Sequence, residues 1–413
     1  MSGLQTTLAP AASRPAAPRG RHSRGDSPSA RIRNALIRAL PALAAYALVR
    51  SIGVAFVAFR IREDGPSLGQ LLAAKFDTQY YVHIADYGYA APMTGLCQVQ
   101  GELCKYAFFP LYPSLIRGVS TIVPMPMGYI AWGIAISCAL LAAWGIFAIA
   151  ELLVGRKAAL VTVVLWGIAP HAMVQSMAYT EPVFTAIAAW ALYAVLTQRW
   201  GAAAALAVLA GLTRPSGAAV VAAVVISAMW ALFKAIREPR ATVPGRSGIL
   251  PLIACIVTAP LGWFAWFMWV GYRAGRWDGY FVVQEKWGST FDGGTYTLHR
   301  MGELFSKLPV TLNTVVASGA ITVAVVLFMI CLQQRQPAVL LIYTAVLLLI
   351  AIGGAGYFHS KARFILPAFP LILPLARVIA ATRPKVTYTV LASATLVSSA
   401  YGSYLMLVWP QSP

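Results

Sequence analysis

The sequence predicts an all-α polytopic membrane protein, and three observations carry that prediction. Of the 413 residues, 59% are hydrophobic and only 11% charged, whereas soluble proteins carry about a quarter charged residues. Apolar runs long enough to cross a bilayer as helices recur along the whole chain. Lys and Arg gather in short segments between those runs, the bias that marks cytoplasmic loops. The net charge of +19 therefore reads as a topology signal, and no nucleic-acid partner is expected.

Residues 1–33 are rich in Pro, Ala, Ser and Arg without an apolar period, which predicts a disordered basic cytoplasmic tail. No cleavable signal peptide is needed, because the first span can serve as the signal. The transmembrane domain then occupies 34–413. Its first span covers about 34–59, and the arginines before it, from Arg14 to Arg38, put the N-terminus in the cytoplasm. The loop 60–126 faces outside. Within it, 108–126 is apolar but interrupted by Pro110, Pro113, Pro124, Pro126 and Arg117, so it reads as an interfacial or re-entrant piece.

Further spans follow at 127–153, 158–179, 182–197, 202–212, 218–235, 249–272, 309–332, 338–355, 364–380 and 386–408, for a bundle of about eleven. The segment holding Lys234, Arg237, Arg240 and Arg246 is the most basic internal loop and is expected inside, with Arg156-Lys157 and Arg383-Pro384-Lys385. The junction at 179–182 and the loops 273–308 and 356–363 fall outside. The loop 273–308, rich in Trp, Tyr and Gly, could cover an outward site. Cys138, Cys255 and Cys331 lie in apolar runs and read as small core residues. Cys97 and Cys104 share the first outer loop, where a short disulfide is plausible.

In the stretch 76–89, helical spacing puts Asp77, Tyr80, Tyr81 and Ile84 on one face and Asp86 on the opposite one. The two carboxylates therefore form no acid/base dyad. Asp77 is either the N-cap of a helix Thr78–Tyr87 or a single general base for a hydroxyl nucleophile. The same side of the membrane collects Glu181, Arg214, His359, Lys361 and Arg363. Cations suit a phosphate that gains charge as it leaves, and Tyr80 and Tyr81 suit a sugar ring or an isoprenoid chain.

Plainer readings stand beside these. Glu181 before Pro182 resembles a helix start. Arg214, Lys361 and Arg363 could snorkel to headgroups, although a basic outer loop runs against the charge bias. His359 and His171 read as structural. Asp77-Thr78-Gln79 lacks the second acid of a metal-binding Asp-x-Asp pair, and no metal-ligand spacing or Walker loop occurs. No cofactor is expected, and a lipid-linked donor fits better than a nucleotide sugar.

Five segments together resemble the PIG-V-type mannosyltransferases of the GT-C superfamily. Phe76-Asp77-x-x-Tyr80-Tyr81-x-x-Ile84-Ala85-x-x-Gly88-Tyr89 is similar to that family's Trp-Asp-x-x-Trp/Tyr-Tyr/Phe-x-x-Ile-Ala-x-x-Gly-Tyr stretch. Phe108-Phe109-Pro110-Leu111-Tyr112-Pro113 matches its Phe-Phe-Pro-Leu-Tyr-Pro run. Tyr179-Thr180-Glu181-Pro182-Val183-Phe184, Leu212-Thr213-Arg214-Pro215-Ser216-Gly217 and Arg363-Phe364 with Pro367 resemble three later elements. Phe76 replaces the usual Trp and Pro182 the usual Ser. The resemblance covers about residues 34–381.

It implies a GT-C-like bundle and a polyprenyl-phosphate-mannose donor. It also implies inverting transfer to an acceptor hydroxyl at a non-cytoplasmic site, with Asp77 as the acid of the first outer loop. Eukaryotic members act on the glycosylphosphatidylinositol precursor; the Ala-rich composition here points to a lipid-linked or cell-envelope glycan acceptor. Two alternatives remain at this stage: another polyprenyl-phosphate sugar, and a lipid or solute transporter or flippase, which internal repeats would mark.

Overall fold

A computed structural model describes residues 27–412 except 64, 94–95, 97–100 and 238–247. Most of the expected basic tail (1–26), together with Arg240, Arg246 and Cys97, therefore lies outside the described residues. The chain divides into two units, 1–38 and 39–413. In the first, the described residues are helical from Pro28, so the helix begins ahead of the boundary expected at 34. The second holds all the elements that build the site.

The fold is helical. In chain order the helices are α1 (Pro28–Arg60), α2 (Leu68–Ala73), α3 (Thr78–Tyr87), α4 (Leu111–Ser120), α5 (Met127–Val154), α6 (Arg156–Gly167), α7 (Thr180–Leu196), α8 (Trp200–Gly211) and α9 (Gly217–Arg237). They continue as α10 (Ile249–Thr258), α11 (Leu261–Ala274), α12 (Gly279–Lys286), α13 (Thr295–Ser306), α14 (Leu312–Gln333), α15 (Ala338–Gly353), α16 (Lys361–Ile365), α17 (Ile372–Ala381) and α18 (Pro384–Leu407). The sheet among the described residues is one antiparallel pair, β1 (Thr290–Phe291) with β2 (Gly354–Ala355), in the register Thr290 to Ala355. It ties the segment after α12 to the segment before α16.

Among the described residues, six segments are helical, long and apolar enough to cross a membrane: Ser29–Arg60, Met127–Val154, Gly217–Arg237, Ile249–Ala274, Leu312–Gln333 and Pro384–Leu407. A seventh is possible if Phe358–Ile365 and Phe369–Ala381, bent by 74°, count as one broken span. α7, α8 and α15 are shorter apolar helices. α4 has 10 residues, too few at 1.5 Å each to cross.

The apolar run 158–179 is not one helix. α6 stops at Gly167, His171 takes a left-handed φ of 62°, and a short 3₁₀ turn covers Ala172–Ser176. Pro170 cannot continue the helix, and the freed carbonyls find side-chain donors instead. Arg50 Nη1 donates to the Gly167 carbonyl at 3.0 Å, and Gln175 Nε2 to that of Trp166 at 2.9 Å. Arg50, a cation inside a long apolar helix, thus satisfies a broken neighbour. The bend after α16 uses the same device. Trp166 Nε1 donates to Leu366 O at 3.2 Å, and the Tyr343 hydroxyl to Pro367 O at 2.9 Å. Buried backbone groups outside a helix need such partners.

The core between α5 and α7 is built from small residues. Ala142, Ala143, Ala188 and Ala189 are fully buried. A Cβ at Gly145 would sit 2.9 Å from that of Ala189. Such residues let helix backbones approach where no apolar-versus-water gain drives association.

Candidate functional site

α3 begins one residue after Asp77, which stands at the N-cap position, but its side chain makes no capping hydrogen bond. The carboxylate points away from its own helix. Oδ2 accepts from Arg363 Nη1 at 3.1 Å, and Oδ1 lies 3.4 Å from the Ser412 hydroxyl. The turn that aims it is strained: Phe76 has φ +59°, a left-handed conformation that costs an aromatic residue about 1–3 kcal/mol. Thr78 anchors the helix start by donating to the Ala178 carbonyl at 3.1 Å.

Arg363 comes from α16, which the bend turns toward Asp77. Its guanidinium lies 5.3 Å above the Tyr179 ring, a cation–π arrangement, and Nε is 3.4 Å from Glu181 Oε1. Glu181, 2% exposed at the start of α7, also lies 2.5 Å from Arg214 Nη1. These are ion pairs by distance, not aligned hydrogen bonds, since both Glu181 oxygens and Arg363 Nε lack hydrogen-bond partners among the described residues. Charge decides here over alignment, because an isolated carboxylate at this depth is untenable. The result is an alternating row: Asp77, Arg363, Glu181, Arg214.

Arg214 reaches the row from the turn between α8 and α9. Gly217 N donates to Arg214 O at 2.9 Å. A Cβ at Gly217 would collide with the Ala210 carbonyl, so this tight turn requires glycine. Arg214 Nη1 also donates to Thr180 Oγ1 at 3.1 Å, and Thr180 lies 3.4 Å from the Tyr81 hydroxyl. The Phe108–Pro113 run is pinned alongside, with Leu111 N donating to Leu212 O at 3.0 Å.

These groups surround a cavity of about 190 Å³, lined among others by Asp77, Tyr81, Phe108, Arg214, Arg363 and Ser412. A larger cavity of about 710 Å³ adjoins it, and Arg214, Pro215, Gln284, Ser289, Tyr357 and Phe364 line both. The larger one adds apolar walls from Leu347, Ile350 and Phe281 and the cation Lys361. The segment 273–308 contributes Gln284, Trp287 and Ser289 to these walls. Burial first, and the Asp77 charge second, push the phenols of Tyr80, Tyr81 and Tyr357 upward. All three therefore act as neutral hydroxyls.

The eight residues singled out from the sequence fall into distinct places. Asp77, Tyr81, Arg214 and Arg363 line the smaller cavity, with Glu181 buried among them. Lys361 lines the larger one, where its ammonium donates to Ala351 O at 2.7 Å and Gly354 O at 2.6 Å. Tyr80 stands aside, stacked on Phe108 at 4.5 Å with its hydroxyl on Leu96 O. His359 lines neither cavity and sits between the Tyr357 and Trp409 rings. Asp86 is exposed.

Sequence reasoning missed Ser412 and Trp287, and it quoted Tyr179 and Thr180 within one resembling segment without assigning them a contact. Both immediately precede Glu181; Ser412 carries no pattern. Cys104 is disulfide-bonded, and its carbonyl accepts from Trp287 Nε1 at 3.1 Å. Cys138, Cys255 and Cys331 are free. Among the described residues no group of three or more His, Cys, Asp or Glu could hold a metal ion.

No protein-family model matches the chain, and no curated protein matches it. Its class rests on the molecule itself: a helical protein with several membrane-length apolar helices and a cavity walled by Asp77, Arg214 and Arg363, with Glu181 buried behind them.

Proposed function

We propose that the protein is a membrane glycosyltransferase that moves mannose from a polyprenyl-phosphate-mannose donor to a hydroxyl of a lipid-linked or cell-envelope glycan, with inversion. One observation carries the reading. Five segments scattered over residues 76–367, chosen for their resemblance to PIG-V-type enzymes, meet around one cavity. Four of them place a charged or aromatic side chain in its wall, and the Tyr179–Phe184 segment supplies the acid behind it.

In this reading Asp77 takes the proton of the acceptor hydroxyl. The oxygen then attacks the anomeric carbon from the face opposite the phosphate, and the bond to the phosphate oxygen breaks. Polyprenyl phosphate leaves as an anion and needs cations, not a general acid. Arg214 suits that role best, since it lines both cavities and is paired, among the described residues, with Glu181 alone, whereas Arg363 lines only the smaller one and is paired with both Asp77 and Glu181. Lys361 adds positive potential to the larger cavity, whose apolar walls suit an isoprenoid. The nearby phenols and Trp287 suit a sugar ring.

The proposed topology has about eleven crossings: the six long helices, the bent pair, α6 with its following turn, and the short α7, α8 and α15. The N-terminus is cytoplasmic, and the cavity opens on the extracytoplasmic side. The experiment that tests the function is incubation of the purified protein in native membrane lipids with radiolabelled polyprenyl-phosphate sugars, mannose included. Mannose transfer supports the reading. Transfer of glucose or arabinose alone corrects the sugar, and transfer of none of them favours a transporter.

A further inference from the structure

We propose that Ser412 is a tethered stand-in for the acceptor alcohol, so that segment 408–412 occupies the acceptor position at rest and must withdraw before a substrate hydroxyl can reach Asp77. The proposal rests on the transfer reading above.

The Ser412 hydroxyl lies 3.4 Å from Asp77 Oδ1, 3.1 Å from Arg363 Nη1 and 2.9 Å from the Tyr179 hydroxyl. Arginine only donates and an ionised carboxylate only accepts. The single Ser412 proton therefore goes to Asp77, and Tyr179 donates to Ser412. A hydroxyl whose proton faces a carboxylate and whose oxygen is flanked by donors is what the incoming alcohol must become. No other described hydroxyl hydrogen-bonds Asp77.

The segment's attachment is slight. α18 ends at Leu407, and Val408, Pro410 and Gln411 are exposed. Apart from the Ser412 hydroxyl, its contacts are the Trp409 ring against His359 at 5.7 Å, Val408 N and Trp409 N on Tyr404 O at 2.9 and 3.0 Å, and Ser360 Oγ on Ser412 O at 3.4 Å. Trp409 Nε1 is buried without a hydrogen-bond partner among the described residues, so docking this ring leaves that donor unsatisfied there. Such a segment competes for its site and does not seal it. Apparent acceptor affinity then scales with the fraction of molecules whose segment 408–412 is out.

The test uses the full chain in lipid nanodiscs and has two arms. In the first, Ser412→Cys is labelled with a maleimide and compared with Gln411→Cys; docking predicts labelling about tenfold slower at 412. In the second, transfer from polyprenyl-phosphate-mannose to n-octyl α-mannoside is measured for the parent chain, Ser412→Ala and a chain ending at Val408. Loss of the tail contacts should lower the acceptor KM about tenfold, the equivalent of one or two hydrogen bonds. Ser412→Ala keeps the test open if the shortened chain does not fold.

Slow labelling with a lowered KM supports the proposal. Equal labelling at 411 and 412 overturns it, as does an unchanged or raised KM in protein that transfers. If 412 is protected but no form of the protein transfers mannose, the transfer reading fails first and the tail proposal falls with it.

Discussion

At the scale of single residues, Asp77 shows how position and role can diverge. It occupies an N-cap position, yet its oxygens are spent on Arg363 and Ser412. Asp77→Asn keeps the shape and removes the base, so transfer should fall about 10²–10⁴-fold with thermal stability little changed; full activity in a purified radiolabel assay would reject the base assignment. Glu181 behaves oppositely. It is buried between two arginines, and Glu181→Gln leaves both without their shared counter-charge. Removing one partner from a buried ionic group costs about 3–5 kcal/mol, which a denaturant titration in detergent would read.

Much at this scale was legible, because ionisable residues in a chain this apolar are few and expensive. Glu181, Arg214 and Arg363 stood out for that reason. Their pairing did not, since nothing in the spacing of residues 77, 181, 214 and 363 says which acid meets which base. Ser412 stayed hidden because a serine beside a proline has no periodicity to betray it. Tyr80 illustrates the converse: it shares Asp77's helical face in projection but packs behind the wall residues Phe108 and Trp287 and does not line the cavity.

At the scale of elements, the long apolar helices followed from hydropathy, but the breaks did not. The window 158–179 reads as continuous because its side chains are apolar throughout. The interruption after Gly167 depends on donors from Arg50 and Gln175, which hydropathy does not weigh. The turn between α8 and α9 depends on Gly217. Gly217→Val should push α9 away from the Ala210 carbonyl and displace Arg214, so purified protein should show both a lower melting temperature and weaker donor binding. A normal melting temperature with normal donor binding would show that the turn absorbs the side chain.

Asp292 supports the segment between β1 and α13. The Tyr296 amide, at 2.7 Å, and the Gly294 amide, at 2.9 Å, donate to its carboxylate and hold its carboxyl below the ordinary value of 3.8. A group depressed on folding adds stability above its unfolded pKa and loses it as pH falls through the folded one. Hydrogen exchange over residues 292–298, corrected for its intrinsic pH dependence, should therefore accelerate below about pH 4. Asp292→Asn should flatten that response.

For the whole molecule, the site is a property of the complete bundle and not of any one segment. Asp77 and Arg363 meet across 286 residues of sequence, and each wall of the cavity comes from a different part of the chain. The proposed topology makes an expectation at this scale. A cysteine placed at Ser289 should react with a membrane-impermeant maleimide in intact cells, whereas one at Lys157 should react only after permeabilisation. The reverse pattern would put the cavity on the cytoplasmic side and exclude a lipid-linked donor presented from outside.

The alternating row of charges also has a consequence in time. As the nascent chain leaves the ribosome, Asp77, Glu181 and Arg214 emerge first, two anions to one cation. Balance arrives only with Arg363. Until then the two carboxylates of the row share one arginine of the two that hold them in the finished fold. A chain cut short before residue 363 should therefore bear a built-in mark of incompleteness, open to the proteases that police unfinished membrane proteins.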